Sequence, residues 1–148
     1  MANEILGGCR CKAIRYRVTL DRPPPAYACH CHDCQTWSGS AFSMQFIAPE
    51  TTLEVTGEPQ IFELTSPSGR LSRQRACGVC FTRIYNTNSA RPGFVVIRAG
   101  TLDRSDEVDL VAHIWAKRKL AKILIPPGVP TWLEAPPPEE FMAALARP

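Results

Sequence analysis

The sequence predicts a mainly β chain of short antiparallel strands with helical turns only, and three observations carry that prediction. Fourteen prolines and nine glycines punctuate 148 residues, and a proline inside a helix removes a backbone donor and clashes with the preceding turn. Between these breaks lie short runs rich in β-branched and aromatic residues, the composition of strands. In the clearest run Ile14, Tyr16 and Val18 alternate with Arg15, Arg17 and Thr19, the period of a strand with one face buried and the other in water.

Taken in order, strands are expected over residues 13–20, 42–48, 52–56, 60–64, 71–76, 94–99 and 108–115. The breaks between them fall at Pro23-Pro24-Pro25, Pro49, Gly57-Glu58-Pro59, Pro67-Ser68-Gly69 and Pro92-Gly93. Two short helical stretches are expected, over 32–37 and 139–146, the second favoured by Glu139 and Glu140 at its start, where acidic side chains meet the positive end of the helix dipole. The prolines at 136–138 read as a stiff connection, so a proline-rich C-terminal extension is expected from about residue 134 of a single domain spanning 1–148.

Composition excludes several function classes. Hydrophobic residues make up 45% and charged ones 21%, values of a folded globular chain. A net charge of +3 implies neither a nucleic-acid partner nor an anionic membrane. No apolar run approaches the roughly 20 residues that cross a bilayer, and residues 1–8 lack a basic segment followed by an apolar one. A cytoplasmic protein with no membrane partner is expected.

Seven cysteines, an odd number, are clustered at Cys9, Cys11, Cys29, Cys31, Cys34, Cys77 and Cys80. In a reducing compartment, thiols at such close spacing favour metal over disulfides. Residues two apart on an extended chain face the same way, and residues three apart in a tight turn converge. Cys9 with Cys11 and Cys77 with Cys80 can therefore close a tetrahedral four-sulfur zinc site with Zn–S bonds near 2.3 Å, a staple whose binding energy adds to folding. Cys29, Cys31 and Cys34 form a second set of three. Three protein ligands leave one coordination position for water or substrate, the pattern of catalytic zinc. His30 or His32 can close this set instead, as can His113 from a distance, which would make it a second structural site. His30 alternates away from its flanking cysteines and is expected to point elsewhere. His32 and Asp33 are candidates for supporting contacts or a proton shuttle, or simply for solvated surface. The triplet is expected to hold the most accessible cysteines, with the four-cysteine sulfurs shielded.

Gly8-Cys9-Arg10-Cys11 with Ile14-Arg15-Tyr16, Cys29-His30-Cys31-His32-Asp33-Cys34-Gln35 with Ser38-Gly39-Ser40-Ala41-Phe42, Arg75-Ala76-Cys77-Gly78-Val79-Cys80, Gly100-Thr101-Leu102-Asp103 and His113-Ile114-Trp115 follow one another in this order. With these blocks the sequence resembles the glutathione-dependent formaldehyde-activating enzyme family, which includes centromere-protein-V-like members, from about residue 7 to 133. The resemblance implies a β-tent fold around zinc. It implies Cys9, Cys11, Cys77 and Cys80 as ligands of a structural zinc and Cys29, Cys31 and Cys34 as a catalytic zinc site that can be partly occupied. It also implies a carbon–sulfur lyase acting on glutathione and formaldehyde, or on a related thiol and aldehyde, with S-(hydroxymethyl)glutathione as the adduct. Two departures stand out: Phe81-Thr82 follows Cys80 where the family has Gly-Thr, and the basic run Lys117-Arg118-Lys119 with Lys122 replaces a small, apolar, Trp-containing stretch.

The rival to an enzyme is a non-catalytic zinc-stabilised module that binds a protein or nucleic acid; His32-Asp33-Cys34-Gln35 beside the triplet is not basic, which disfavours nucleic acid. The basic run can meet carboxylates or phosphates, although a solvated loop is the plainer reading. At least two of Trp37, Trp115 and Trp132 are expected in the core. Arg73 and Arg75 share a strand face and can bind an anion or merely face water. Ser38-Gly39-Ser40 offers backbone donors beside the triplet, or an ordinary turn.

Overall fold

The computed structural model describes residues 3–147; Met1, Ala2 and Pro148, which the expected domain bounds include, lie outside the described residues. The elements in chain order are β1 (Asn3–Gly8), β2 (Arg15–Leu20), β3 (Pro25–Cys29), α1 (His32–Ser38), β4 (Ser43–Pro49), β5 (Leu53–Thr56), β6 (Gln60–Thr65), β7 (Leu71–Ala76), β8 (Arg83–Asn88), β9 (Phe94–Arg98), β10 (Asp109–Ile114) and α2 (Pro138–Leu145). Single 3-10 turns occur at Glu50–Thr52, Ala99–Thr101, Ser105–Glu107 and Ala116–Arg118. The chain is mainly β, as its punctuation predicts. No helix among the described residues is long and apolar enough to cross a membrane.

The described residues group into two compact units, one of residues up to 24 together with 46–108, the other of 25–45 together with 109 onward. In the first unit β1, β2 and β5 form an antiparallel sheet, with Gly8 opposite Arg15 and Val18 opposite Leu53. The alternation in β2 is realised: Tyr16 and Val18 are buried, while Arg17 on the other face pairs with Glu4 and Glu54 of the flanking strands. β1 lies outside the expected strands, and it ends in two glycines. They serve close packing: a Cβ on Gly7 would lie 2.4 Å from the Tyr16 ring. The same unit holds the antiparallel run β9-β8-β7-β6, with Tyr85 opposite Ile97 and Arg75 opposite Tyr85. β8 was also missed, since its asparagines and arginine have poor strand propensity and only its neighbours make it a strand. Phe46, Ile84, Val95 and Ile97 are fully buried in this unit.

In the second unit β3 pairs antiparallel with the start of β4, Tyr27 opposite Gln45. On its other side β3 pairs with β10 in parallel, Pro25 opposite Asp109 and Cys29 opposite Ile114. This pair departs from the antiparallel expectation, and the chain between the two strands, residues 46–108 included, is ample for a parallel crossover. β3 was hidden in sequence by the prolines that precede it. The C-terminal segment is more than a stiff connection. Pro138 opens α2, where a missing N–H costs nothing, and the helix buries Phe141, Ala144 and Leu145. Phe141 meets the Tyr27 ring edge-on at 4.9 Å. None of the three tryptophans is core: Trp37, Trp115 and Trp132 are all half-buried, and this corrects the expectation for them. Trp132 stays at the surface because its Nε1 donates to Glu140 at 3.1 Å.

Candidate functional site

Two knuckles in the first unit carry the four-cysteine cluster. After β1 the chain reverses through Cys9: the Cys9 N–H donates to the Ile14 carbonyl, the Lys12 N–H to the Cys9 carbonyl, and Lys12 adopts φ 67° to close the turn. After β7 a second knuckle repeats the device, with the Cys77 N–H on the Thr82 carbonyl, the Phe81 N–H on the Cys77 carbonyl, and Phe81 at φ 61°. Thr82 ties the two together by accepting from the Arg10 N–H at 3.3 Å. The four sulfurs all lie within 4.8 Å of one another, with Cys9 to Cys11 at 3.6 Å and Cys11 to Cys77 at 3.7 Å. A tetrahedron with 2.3 Å metal–sulfur bonds has edges of about 3.8 Å, so the donor set and its spacing fit zinc.

Backbone amides aim at these sulfurs, Ile14 N–H at Cys9 Sγ (3.2 Å) and Val79 N–H at Cys77 Sγ (3.4 Å), as expected around sulfurs that carry charge. The Thr82 hydroxyl and N–H hold Cys80 down to about 5. Cys11 receives the Ala13 N–H, yet desolvation and its three neighbouring thiols push it up to about 11. Phe81, in the second knuckle, presents a ring that is 77% exposed.

The triplet in the second unit arises from a change of backbone. Cys29 ends β3 and is buried; Cys31 is extended and caps α1; Cys34 lies in the first turn of that helix. The extended step puts Cys29 and Cys31 on one side, and the helical turn brings Cys34 back under them, where its N–H donates to Cys31 Sγ at 3.4 Å. The three sulfurs lie within 4.8 Å of one another, and no histidine nitrogen or carboxylate oxygen among the described residues joins them. Cys29 and Cys34 pull the Cys31 thiol far below its ordinary range, while Cys31, Cys34 and burial drive Cys29 far above it. The expected ranking of accessibility is corrected: Cys11 is the exposed cysteine, Cys31 and Cys34 are half-buried, and Cys29 is buried, because the first knuckle juts out at the end of an edge strand.

His30 does point away from the sulfurs. It is fully buried, its Nε2 lies 3.0 Å from Nδ1 of His113, and Phe42 covers it at 5.2 Å. Burial first, and then His113 and Lys119, hold His30 down to about 4, and burial lowers His113 as well. The pair is neutral at neutral pH, one nitrogen donating and the other accepting. His30 Nδ1 has no hydrogen-bond partner among the described residues. His113 is fixed through its backbone, its N–H on the Pro130 carbonyl and its carbonyl receiving the Trp132 N–H.

His32 and Asp33 are exposed at the start of α1. Gly39 ends that helix at φ 62°, and the Ser38 hydroxyl is spent inside its own turn, donating to the Gln35 and Phe42 carbonyls. The basic run is not a uniform patch: Lys117 pairs with Glu134 and sits over the Trp115 ring, and Lys119 donates to the Leu120 and Ile123 carbonyls. Two glutamines support the site without having been picked out for it. Gln35 Nε2 bridges the carbonyls of His30 and Arg118, and Gln45 Nε2 donates to Cys34 Sγ at 3.8 Å. Neutral amides give no signal in sequence until the fold brings an acceptor to them. The Gly100-Thr101-Leu102-Asp103 block acts as a latch: Thr101 bonds the Tyr16 hydroxyl at 2.8 Å, Asp103 pairs with Arg15, and its N–H donates to the Leu6 carbonyl.

Comparison with known proteins agrees with this geometry. A Halomonas elongata protein that carries the name of the resembled family is 29% identical over 105 residues, covering 66% of this chain. The chain covers 64% of that relative, less than two thirds of its length. A crystal structure of a Rhodobacter sphaeroides protein superposes with a TM-score of 0.55 at 18% identity, over 71% of this chain and 98% of the other, which shows a shared fold. The model of the family described as "Glutathione-dependent formaldehyde-activating enzyme" matches residues 4–118, well over half of the chain and both cysteine clusters, so this protein belongs to the glutathione-dependent formaldehyde-activating enzyme family.

Proposed function

We propose that the chain is a zinc-dependent carbon–sulfur lyase that joins a small thiol to an aldehyde, with glutathione and formaldehyde as substrates and S-(hydroxymethyl)glutathione as the adduct. The observation that carries this reading is the pairing of a complete four-sulfur cluster with a separate cluster of only three sulfurs. Cys9, Cys11, Cys77 and Cys80 would hold a structural zinc, and Cys29, Cys31 and Cys34 a second one. Zinc held by the triplet would supply Lewis acidity toward the aldehyde oxygen or would favour the thiolate form of the substrate.

The chain's own contribution is to hold and orient. Strand end, extended cap and helical turn fix the three cysteines in one geometry, and Gln45 braces Cys34 from β4. The buried His30–His113 pair holds the backbone between Cys29 and Cys31 from behind. In the reaction the thiolate sulfur attacks the carbonyl carbon, a C–S bond forms, the C=O double bond becomes a C–O single bond, and the oxygen takes a proton. His32, exposed at the start of α1 and adjacent to Cys31 in sequence, is the donor this reading assigns.

The test is exchange spectroscopy of 13C-formaldehyde with glutathione, read beside zinc content. Wild type is expected to speed interconversion of adduct and free aldehyde and to bind two zinc ions per chain. Cys34→Ser is expected to bind one and to fall to the uncatalysed rate. Wild-type exchange no faster than buffer with both zinc ions present would sink the lyase and favour the non-catalytic module.

A further inference from the structure

We propose that a groove on the first unit, walled by Arg73, Arg75 and Arg91, binds a small molecule bearing carboxylate or phosphate oxyanions. None of its residues belongs to either cysteine cluster. The groove encloses about 320 Å³, at the small end of ligand cavities. Arg73 and Arg75 lie two apart on β7, on one face of the sheet, opposite Thr87 and Tyr85 of β8. Arg91 comes from the turn between β8 and β9 and completes the wall.

Hydrogen-bond accounting points to an anion. The neutral side-chain acceptors lining the groove each take a bond within the chain, and Glu50 is the single carboxylate among the described lining residues. Thr87 Oγ1 accepts from Arg75 Nη1 at 3.0 Å, Ser89 Oγ from the Leu71 N–H at 2.9 Å, and Asn88 Oδ1 from the Ala90 N–H at 2.8 Å. What remains is a surplus of donors: guanidinium N–H groups, the Asn88 amide and the Ser89 hydroxyl proton. Glu63 pairs with Arg73 at 2.7 Å, and Glu50 lines the groove with the arginines, so three cations there face one lining carboxylate. Arg75 and Arg91 form no ion pair among the described residues. A planar guanidinium fork matches a carboxylate or phosphate with two parallel bonds.

Two of the three guanidiniums, and the turn that carries the third, are also held in place before any ligand arrives. Arg75 lies over the Tyr85 ring at 5.0 Å and donates to the Arg73 carbonyl at 3.1 Å. The turn carrying Arg91 is fixed by its own N–H on the Asn88 carbonyl and by the Ser89 N–H on the Leu71 carbonyl. Such preorganisation lowers the ordering cost of binding.

The experiment titrates the full-length, zinc-loaded protein at low chloride with inorganic phosphate and, separately, with citrate, following heat and backbone amide shifts. Saturable one-to-one binding is expected in at least one arm, with shifts centred on Ser89 and Arg91. The tighter arm identifies the source, a phosphate-bearing or a polycarboxylate ligand. Arg91→Gln and Arg75→Gln are each expected to weaken binding at least tenfold, and Arg70→Gln, outside the groove, to leave it unchanged. Should Arg75→Gln fail to fold, Arg91→Gln decides alone, because its side chain makes no bond within the described chain. Lack of saturation in both arms by about 10 mM, or equal weakening by Arg70→Gln, overturns the proposal.

Discussion

The two cysteine clusters use the same donor atom and are built in opposite ways. The four-cysteine cluster is made of two like knuckles, each closed by its own backbone hydrogen bonds and a left-handed residue, Lys12 or Phe81. It is complete in itself, and its cysteines come from two segments of one unit, Cys11 and Cys77 standing 66 positions apart. The triplet comes from six consecutive residues, and its shape depends on what lies behind it: β10 in parallel against β3, and His113 against His30. A metal held by cysteines far apart in the chain would staple the fold, whereas one held by the triplet would keep an open position and borrow its rigidity from the neighbouring strand.

The widest separation between the clusters should appear on losing one ligand from each. Cys9→Ser is expected to lower stability by several kcal/mol or to abolish soluble expression, because zinc binding there is part of folding; a near-normal melting temperature would break the contrast. Cys34→Ser should remove the second zinc while moving the melting temperature by only a few degrees. If it unfolds the protein instead, the triplet is a clamp like the other cluster. His113→Ala deprives buried His30 of its partner and should cost about 1–3 kcal/mol, with zinc content unchanged at two per chain. A fall to one zinc would make His113 a ligand and sink the local reading of the triplet.

Smaller substitutions sharpen the picture of the knuckles. Phe81→Gly relieves a left-handed phenylalanine whose ring is almost wholly in solvent, and should stabilise by about 1 kcal/mol in thermal unfolding; a loss of stability would mean that the ring packs in solution. Asp103→Asn opens the latch onto Arg15. The Arg15 guanidinium holds the Asp103 carboxyl below its ordinary range, so its contribution is present above the ordinary carboxylate pKa and is lost as pH falls through the depressed one. Both groups are more than a third exposed, and the cost at neutral pH should be a few tenths of a kcal/mol. The gap between wild type and variant should close below about pH 4; a gap that persists in acid would assign the effect to packing.

Where spacing maps directly onto backbone geometry, the sequence was informative. Alternation in residues 14–19 marked β2 and its buried face, and cysteines two and three apart marked both clusters and the outward turn of His30. What stayed hidden depended on partners far along the chain. Gly7 and Gly8 give no strand signal until the Tyr16 ring is laid against the first and the Ile14 carbonyl against the second. β8 becomes a strand only between β7 and β9. The bond from His30 to His113 spans 83 positions, and no local pattern announces it. Phe81 was noticed as a departure, but only its φ of 61° explains why a glycine suits that position.

The parallel pairing of β3 with β10 also orders events during synthesis. As the chain leaves the ribosome, both knuckles of the four-cysteine cluster are available once Cys80 has emerged, and zinc can close them while later residues are still being added. The triplet emerges earlier, at Cys29 to Cys34, yet its strand has no β10 to lie against until residues 109–114 follow. Non-local strand pairs of this kind form late. For that interval the three thiols wait on a strand that has only β4 beside it, so the triplet stays open to oxidation for longer than its early place in the chain suggests.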